Sequence, residues 1–386
     1  MDKKNKNPNV PNLRFNEFSL PWHQMRIIDL LSFQNGINGT PEQYGKGIKY
    51  ISVGDILNND YITYDKIAGS IDINQETLKN YSVTYGDILF QRSSEIKEDI
   101  GRTNVYLDKD HTATFGGFVI RGKKIGDYNP TFFNYLLKSP SSRQSIVRLG
   151  AGAQHYNIGQ ENIKTLNFYF PDKEEQQKIA NLFSKIDERI QTQIKIIDTL
   201  SSQKKQIRIL IFKDIHKNVN CCIQDYVIYE QPQKYIVHST DYLSYGKDYI
   251  PVLTANQSFI LGYTLEKDGI YEKGDCIIFD DFTNENKYVD FPFKVKSSAL
   301  KILQTKEGLM LKFFYEYLQF LNFESTDHKR HYLSEVAVTN INVPNLKEQT
   351  FVCKVFNSFD NKLKNEEALL EKYRLQKQFL LNNLFI

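Results

Sequence analysis

One stretch of this chain occurs twice. PDKEEQQKIANLFSKIDERIQTQIKIIDTLSSQKKQIRILIF (Pro171–Phe212) is echoed by PNLKEQTFVCKVFNSFDNKLKNEEALLEKYRLQKQFLLNNLF (Pro344–Phe385), with a constant offset of 173 residues and no gap. Pro171 falls on Pro344, Glu175-Gln176 on Glu348-Gln349, Phe183 on Phe356, Asp187 on Asp360, Gln203-Lys204 on Gln376-Lys377 and Phe212 on Phe385. An internal duplication restricts the fold to one built from repeated units, so it is settled before any single element is assigned.

Both copies predict long helices. Each opens after its proline with a capping box, Asp172 with Glu175 and Asn345 with Glu348, in which two orphan N–H groups are satisfied reciprocally. Apolar residues then recur every three or four positions. The first copy offers Ile179, Phe183, Ile186, Ile190, Ile194 and Ile197; the second offers Val352, Phe356, Phe359, Leu363 and Leu370. Neither interior holds Gly or Pro, and the stripe is that of a coiled-coil seam. At 1.5 Å per residue such a helix runs roughly 60 Å. Its duplicate is the expected partner, as an intramolecular antiparallel pair; separate packing or a partner's helices is the alternative.

The remaining sequence repeats more loosely. Short β-rich runs (Ile48–Val53, Ser82–Gln91, Thr103–Leu107, Ala113–Gly122), a helical piece at Thr131–Leu137 and a strand at Leu166–Phe170 precede the first helix. Tyr249–Leu253 echoes Tyr50–Val53, Gly274-Asp275 echoes Gly86-Asp87, and KFFYEYL (312–318) echoes PTFFNYL (130–136). The offset falls from 199 to 188 to 182 to 173, so landmarks keep their order while loops shorten. The expected organisation is a loose tail at 1–12, a domain at 13–170, a long helix at 171–215, a second domain at 216–343 and a second long helix at 344–386. The class is α+β: two similar α/β domains separated by two long helices that form an antiparallel coiled coil, a tandem repeat with pseudo-two-fold character.

Composition narrows the function. The 49 basic and 46 acidic residues nearly balance, which leaves room for a localised basic face only. The four cysteines form no C-x-x-C and have no histidine pair at ligand spacing, so disulfide and zinc readings fail and a reducing, cytoplasmic location is expected. No apolar run approaches 18 residues, and MDKKNKNPNVPN lacks the apolar stretch of a signal peptide. No phosphate loop G-x-x-x-x-G-K-[ST] and no methyltransferase D/N/S-P-P-Y/F/W motif occurs; Asn129-Pro130-Thr131 does not qualify.

Three segments carry a family resemblance. NLRFNEFSLPWHQMRIIDL (Asn12–Leu30) resembles an "LRF-x-EF…W" lead-in, YGDILFQRSSE (Tyr85–Glu95) a "GDIL-x-x-R" strand and loop, and PDKEEQQKIANLFSKID (Pro171–Asp187) a "P-x-x-EQ-x-KIA-x-x-L-x-x-ID" helix start. Together they resemble the specificity (S) subunit of Type I restriction-modification systems. The second copy departs at Thr350-Phe351-Val352-Cys353 and lacks the Arg/Ser element after Gly274-Asp275. The resemblance implies two target recognition domains, each reading one part of a split double-stranded DNA sequence. It also implies helices that space them and dock two modification (adenine methyltransferase) subunits together with restriction/translocase subunits. S-adenosylmethionine would sit on the modification subunits, ATP and Mg on the restriction subunits, and no cofactor, metal or catalytic residue on this chain.

Base edges are read by Arg, Lys, Asn, Gln and Ser/Thr, and phosphates are held by Lys, Arg and hydroxyls. In the first domain this selects Arg92, Ser93, Ser94, Lys97 and Arg102 after the GDIL strand, and Gln154, His155, Tyr156 and Asn157 after flexible glycines. In the second it selects Asp281, Thr283, Asn284, Lys287 and Tyr288, with Lys329, Arg330, His331 and Tyr332 as a basic-aromatic cluster. A competing reading is a stand-alone Mg-dependent nuclease, because Asp87…Glu95-x-Lys97 and Asp281…Glu285-x-Lys287 satisfy a loose D…E-x-K spacing.

Overall fold

The computed structural model describes residues 9–246, 248–255, 258–323 and 330–386. It divides into two compact units, Met1–Ile194 with Ala368–Ile386, and Lys195–Glu367. The boundaries fall inside the two long helices, so each unit holds the first half of one and the second half of the other. Four helices organise the description: α1 (Pro130–Lys138), α2 (Lys173–Ile215), α3 (Leu311–Leu321) and α4 (Leu346–Asn383).

Each unit contains the same pair of sheets. In unit 1 a four-stranded antiparallel sheet runs Leu31–Asn35, Val119–Lys124, Ile88–Gln91, Thr103–Val105; in unit 2 it runs Val227–Glu230, Leu300–Thr305, Cys276–Asp280, Asn286–Val289. A three-stranded sheet with one parallel pairing accompanies each: Gly69–Ile71, Tyr44–Ile51, Thr114–Phe115, and Ile260–Thr264, Ile250–Leu253, Lys294–Val295. A strand covered on both faces reads as a continuous apolar run, and CIIFD (276–280) does so. Ile277 and Phe279 pack toward α3 and the long helices, while Cys276 and Ile278 pack toward Val295 and Leu253, the alternation that a strand's two-residue period demands.

The matched Gly-Asp pairs are matched in geometry too. Gly86 has φ +91° and Gly274 φ +93°, the left-handed region in which glycine escapes the Cβ clash. Ser-Pro-Ser-Ser at 139–142, just after α1, starts a further helix. Ser139 caps the helix Pro140–Val147, with proline at the position where a missing N–H costs nothing.

The capping boxes form by half. Asp172 Oδ1 accepts from Glu175 N–H at 2.9 Å and Asn345 Oδ1 from Glu348 N–H at 3.1 Å, but the Glu175 carboxylate turns to Arg14 instead of the helix start. The adjacent glutamine is the more informative residue. Gln176 accepts from Asn129 N–H at 2.9 Å and donates to Pro171 O at 2.9 Å; Gln349 accepts from Met310 N–H at 2.7 Å and donates to Gly308 O and Pro344 O, both at 2.8 Å. In each unit the buried glutamine ties the start of a long helix to the start of a short one.

The two long helices pack antiparallel within each unit, and the pairs are reciprocal. In unit 1 Phe183 stacks on Phe385 with centroids 5.7 Å apart, and Lys377 pairs with Asp187 at 2.6 Å, where Tyr135 also donates at 2.5 Å. In unit 2 Phe356 stacks on Phe212 at 6.2 Å, and Lys204 pairs with Asp360 at 2.5 Å. These are the residues that the 173-residue offset superimposes, with the helices exchanged. Of the seam residues, Ile179, Phe183, Ile186, Ile190 and Leu370 are buried in unit 1 with Ile194 half-buried; Val352 and Phe356 are buried in unit 2, with Ile197, Phe359 and Leu363 half-buried.

Candidate nucleic-acid interface

In unit 1 the two candidate segments, some 60 residues apart in sequence, meet. Ser93-Ser94 pairs antiparallel with Tyr156-Asn157, in the register Asn157↔Ser93 and Tyr156↔Ser94, and Ser93 Oγ donates to Asn157 Oδ1 at 2.5 Å. The glycines before this ribbon do not act as a flexible tether. Gly152 has φ +135°, a Cβ there would run into the carbonyl of His155, and Ala151 and Asn157 exchange backbone bonds of 3.0 and 2.8 Å. The result is a tight turn that presents Gln154 and His155 to solvent.

The other first-unit candidates differ in how free they are. Lys97 is exposed on the turn after the ribbon. Arg102 is exposed but pairs with Asp99, its Nε at 2.7 Å. Arg92 reaches solvent while its guanidinium donates to Gly117 O at 3.2 Å; its chain neighbour Ser93 lines a cleft with Asn38, Tyr44 and the exposed Phe118. Sequence reasoning missed Arg143. It lies on the helix Pro140–Val147 and donates to the carbonyls of Glu98, Ile100 and Gly101 at 2.7–3.0 Å, anchoring the turn that carries Lys97. Burial lowers its pKa to about 10. Its signal was available only in three dimensions, since nothing in SSRQSIV marks a half-buried arginine that grips three carbonyls.

In unit 2 the two candidate segments also meet, but through buried groups. Asp281 accepts from Tyr332 N–H at 2.9 Å with its carboxylate and from His331 N–H at 2.9 Å with its carbonyl, and it forms an ion pair of 3.1 Å with buried Lys301. Tyr332 packs edge-on against Phe279 and Tyr229, and His331, also buried, reaches Glu335 at 3.0 Å. Asp281, His331 and Tyr332 are therefore interior scaffold and not exposed readers. Tyr288 is committed as well, donating to Asp275 at 2.6 Å. Asn284 is buried in the left-handed position (φ +59°) of the turn between Cys276–Asp280 and Asn286–Val289, a conformation asparagine tolerates. The candidates that reach solvent are Thr283, half-buried Lys287, and Arg330, whose guanidinium lies 5.8 Å from the Phe282 ring. Lys329 lies outside the described residues.

The D…E-x-K aspartates are occupied. Asp87 is buried and accepts from Thr84 N–H at 3.0 Å and Lys124 N–H at 2.9 Å; burial pushes its carboxyl above the usual range despite those donors. Asp281 holds Lys301 and Tyr332 as above. Neither carboxylate is presented to a metal and water, so the nuclease spacing is coincidental.

The model of the Type I restriction modification DNA specificity domain matches residues 21–201. The chain is 48% identical over 122 residues to the specificity subunit of the Type I restriction enzyme EcoR124I/EcoR124II from Escherichia coli, a match covering 30% of each. It is 28% identical over 205 residues to the putative type I restriction enzyme MjaX specificity subunit of Methanocaldococcus jannaschii, covering 52% of this chain and 47% of that one. These matches span well under two thirds of the relatives' own lengths. In fold, the chain resembles the Type-I restriction-modification system S subunit from M. genitalium with a TM-score of 0.59 at 18% identity, over 98% of this chain and 99% of that one. No helix of the described residues is long and apolar enough to cross a membrane. A DNA specificity domain model that matches residues 21–201 and a fold like that of an S subunit make the chain similar to the specificity subunits of type I restriction-modification systems.

Proposed function

We propose that each unit reads one part of a split double-stranded DNA target, and that the paired helices dock two modification subunits and the restriction subunits of the complex. The observation that carries this reading is the convergence of half-buried Ser93-Ser94 with Gln154–Asn157, of which Gln154, His155 and Asn157 are exposed, into one polar ribbon in unit 1, beside Arg92 and Lys97. Side-chain amides and hydroxyls on a rigid two-stranded ribbon suit base edges, and the flanking cations suit phosphates. In unit 2 the same role falls to Thr283, Lys287 and Arg330, held on the Asp281–Tyr332 scaffold. S-adenosylmethionine belongs to the modification subunits and ATP with Mg to the restriction subunits, leaving recognition to this chain.

Methylome sequencing of cells with and without the chain and its modification subunit tests the reading: N6-methyladenine at a bipartite motif should vanish without the chain. Replacing Gly86–Arg102 by another specificity subunit's segment should alter one half of that motif. A change in both halves, or methylation indifferent to the chain, refutes it.

A further inference from the structure

In unit 1 the segment Asn9–Trp22 lies across the start of α2 and the end of α4. Leu13 N–H donates to Asn383 O at 2.9 Å, and Arg14 makes two bonds of 2.8 and 2.6 Å to the Glu175 carboxylate. The Lys178 ammonium pairs with Glu17 and sits 4.7 Å from the Phe15 ring centroid. Glu175 is fully buried beneath this cover.

Among the described residues unit 2 has no counterpart of that segment, because the chain enters it directly from α2 through the turn His216–Asn218. The matched surface is an open groove of about 780 Å³ whose lining includes Leu210, Ile211, Asp214, Glu348 and Phe351. By the 173-residue offset Glu175 recurs as Glu348, but Asn383 becomes Leu210, Lys178 becomes Phe351 and Lys173 becomes Leu346. These three apolar side chains are 71%, 66% and 55% exposed. The copy whose surface is covered carries polar residues there, and the uncovered copy carries apolar ones. Exposure to water alone favours the opposite, and contiguous exposed apolar residues mark a contact surface.

We infer that this groove receives an extended segment of a partner protein that sets apolar side chains beside an arginine, the chemistry Leu13–Phe18 supplies in unit 1. The arginine is specified by Glu348, whose counterpart takes Arg14 in a two-bonded fork; Asp214, paired with Lys217 at 2.9 Å, lies at the same rim. Leu210 and Phe351 supply the apolar wall. The inference is independent of DNA reading, since none of these residues is a candidate base contact.

A fluorescein-labelled synthetic peptide with the sequence of Asn9–Trp22 serves as the probe, titrated with the full chain and followed by fluorescence anisotropy. Saturable binding is expected, weakened about tenfold or more by Phe351→Asp and by Glu348→Lys, a loss of about 1.4 kcal/mol or more. Leu375→Asp, at an exposed apolar position elsewhere on α4, should leave binding unchanged. Glu348→Gln, with circular dichroism to confirm folding, separates lost charge pairing from damage to the helix. Absence of saturable binding up to about 1 mM, or binding indifferent to both groove variants, overturns the inference. So does a dimer of the wild-type chain that Phe351→Asp dissolves, because the groove would then serve a second copy.

Discussion

Glu316 is the most exposing place to perturb unit 2. Its fully buried carboxylate meets Arg208 at 2.7 Å, Lys312 at 2.9 Å and Lys204 at 3.3 Å, while Asp360 takes Lys204 and Lys312 at 2.5 Å each. Three cations thus face two anions, and the cations' side chains are only 13–14% exposed. At an effective dielectric of about 20 each contact near 3 Å is worth roughly 5–6 kcal/mol of gross attraction, most of it returned as desolvation. Glu316→Ala removes the attraction and leaves the desolvation, so unit 2 should lose about 3–5 kcal/mol. Unit 1 suggests the compensation: the positions matching Arg208 and Glu316 are Leu381 and Asn134. The double variant Arg208→Leu/Glu316→Asn should fall short of the wild type by about 2 kcal/mol or less, with a coupling of about 2 kcal/mol or more between the sites. Urea denaturation followed by circular dichroism measures both. Fluorescence of the single tryptophan, Trp22, packed against Phe132 and Phe385 in unit 1, serves as the internal control. A Glu316→Ala loss under about 1 kcal/mol, or a double variant no better than the sum of its singles, would refute the argument.

Four further outcomes are expected. Gln154→Ala or His155→Ala should weaken specific DNA binding by about 1–3 kcal/mol with the melting temperature unchanged, and Arg92→Ala likewise if it reads a base; mobility shifts across a salt series separate base from phosphate contacts. Tyr332→Ala should instead cost about 3–5 kcal/mol of stability, seen in thermal melts, because its ring is interior. Gly152→Ala should disorder the 151–157 turn, detectable as faster amide exchange at Ala151 and Asn157 and as lost DNA affinity. Glu230 is held by Lys234, Lys273 and Tyr235, whose hydrogen bonds outweigh burial and bring its pKa down from 4.5 to about 2. A depressed carboxylate stabilises above its unfolded pKa, so that stabilisation should disappear as pH falls from about 4.5 to 2, and Glu230→Gln should flatten that limb of the acid titration.

Much of the architecture was legible because it is written twice. Gly86 and Gly274, Gln176 and Gln349, and the Phe183–Asp187 and Phe356–Asp360 pairs could be aligned by counting alone, and each proves to occupy equivalent geometry in its unit. The unit 1 ribbon was legible as two polar segments, although only folding joins Ser93 to Asn157. The unit 2 candidates were half misread for a physical reason. Asp, Asn, His and Tyr in a turn-rich segment have the same composition whether they face water or satisfy one another inside, and Lys301, which decides the matter for Asp281, lies twenty residues away in an apolar strand. The groove opposite Glu348 was invisible too, since an exposed phenylalanine in a helix looks like one more seam position.

The reciprocal pairing of the long helices also bears on how such a chain can change over generations. Lys204 answers to Asp360 and Lys377 to Asp187, Phe212 to Phe356 and Phe385 to Phe183, so every pair joins one copy of the repeat to the other. A deletion inside either helix would rotate one member of a pair out of register while its partner stayed in place, and no loop is there to absorb the slip. Substitutions can accumulate on the outer faces, as they have, but length cannot drift in one copy alone. That constraint fits a gapless 173-residue offset through both helices beside loops whose offsets have fallen from 199 to 182: the loops have been free to change length, and the helices have had to keep the same length.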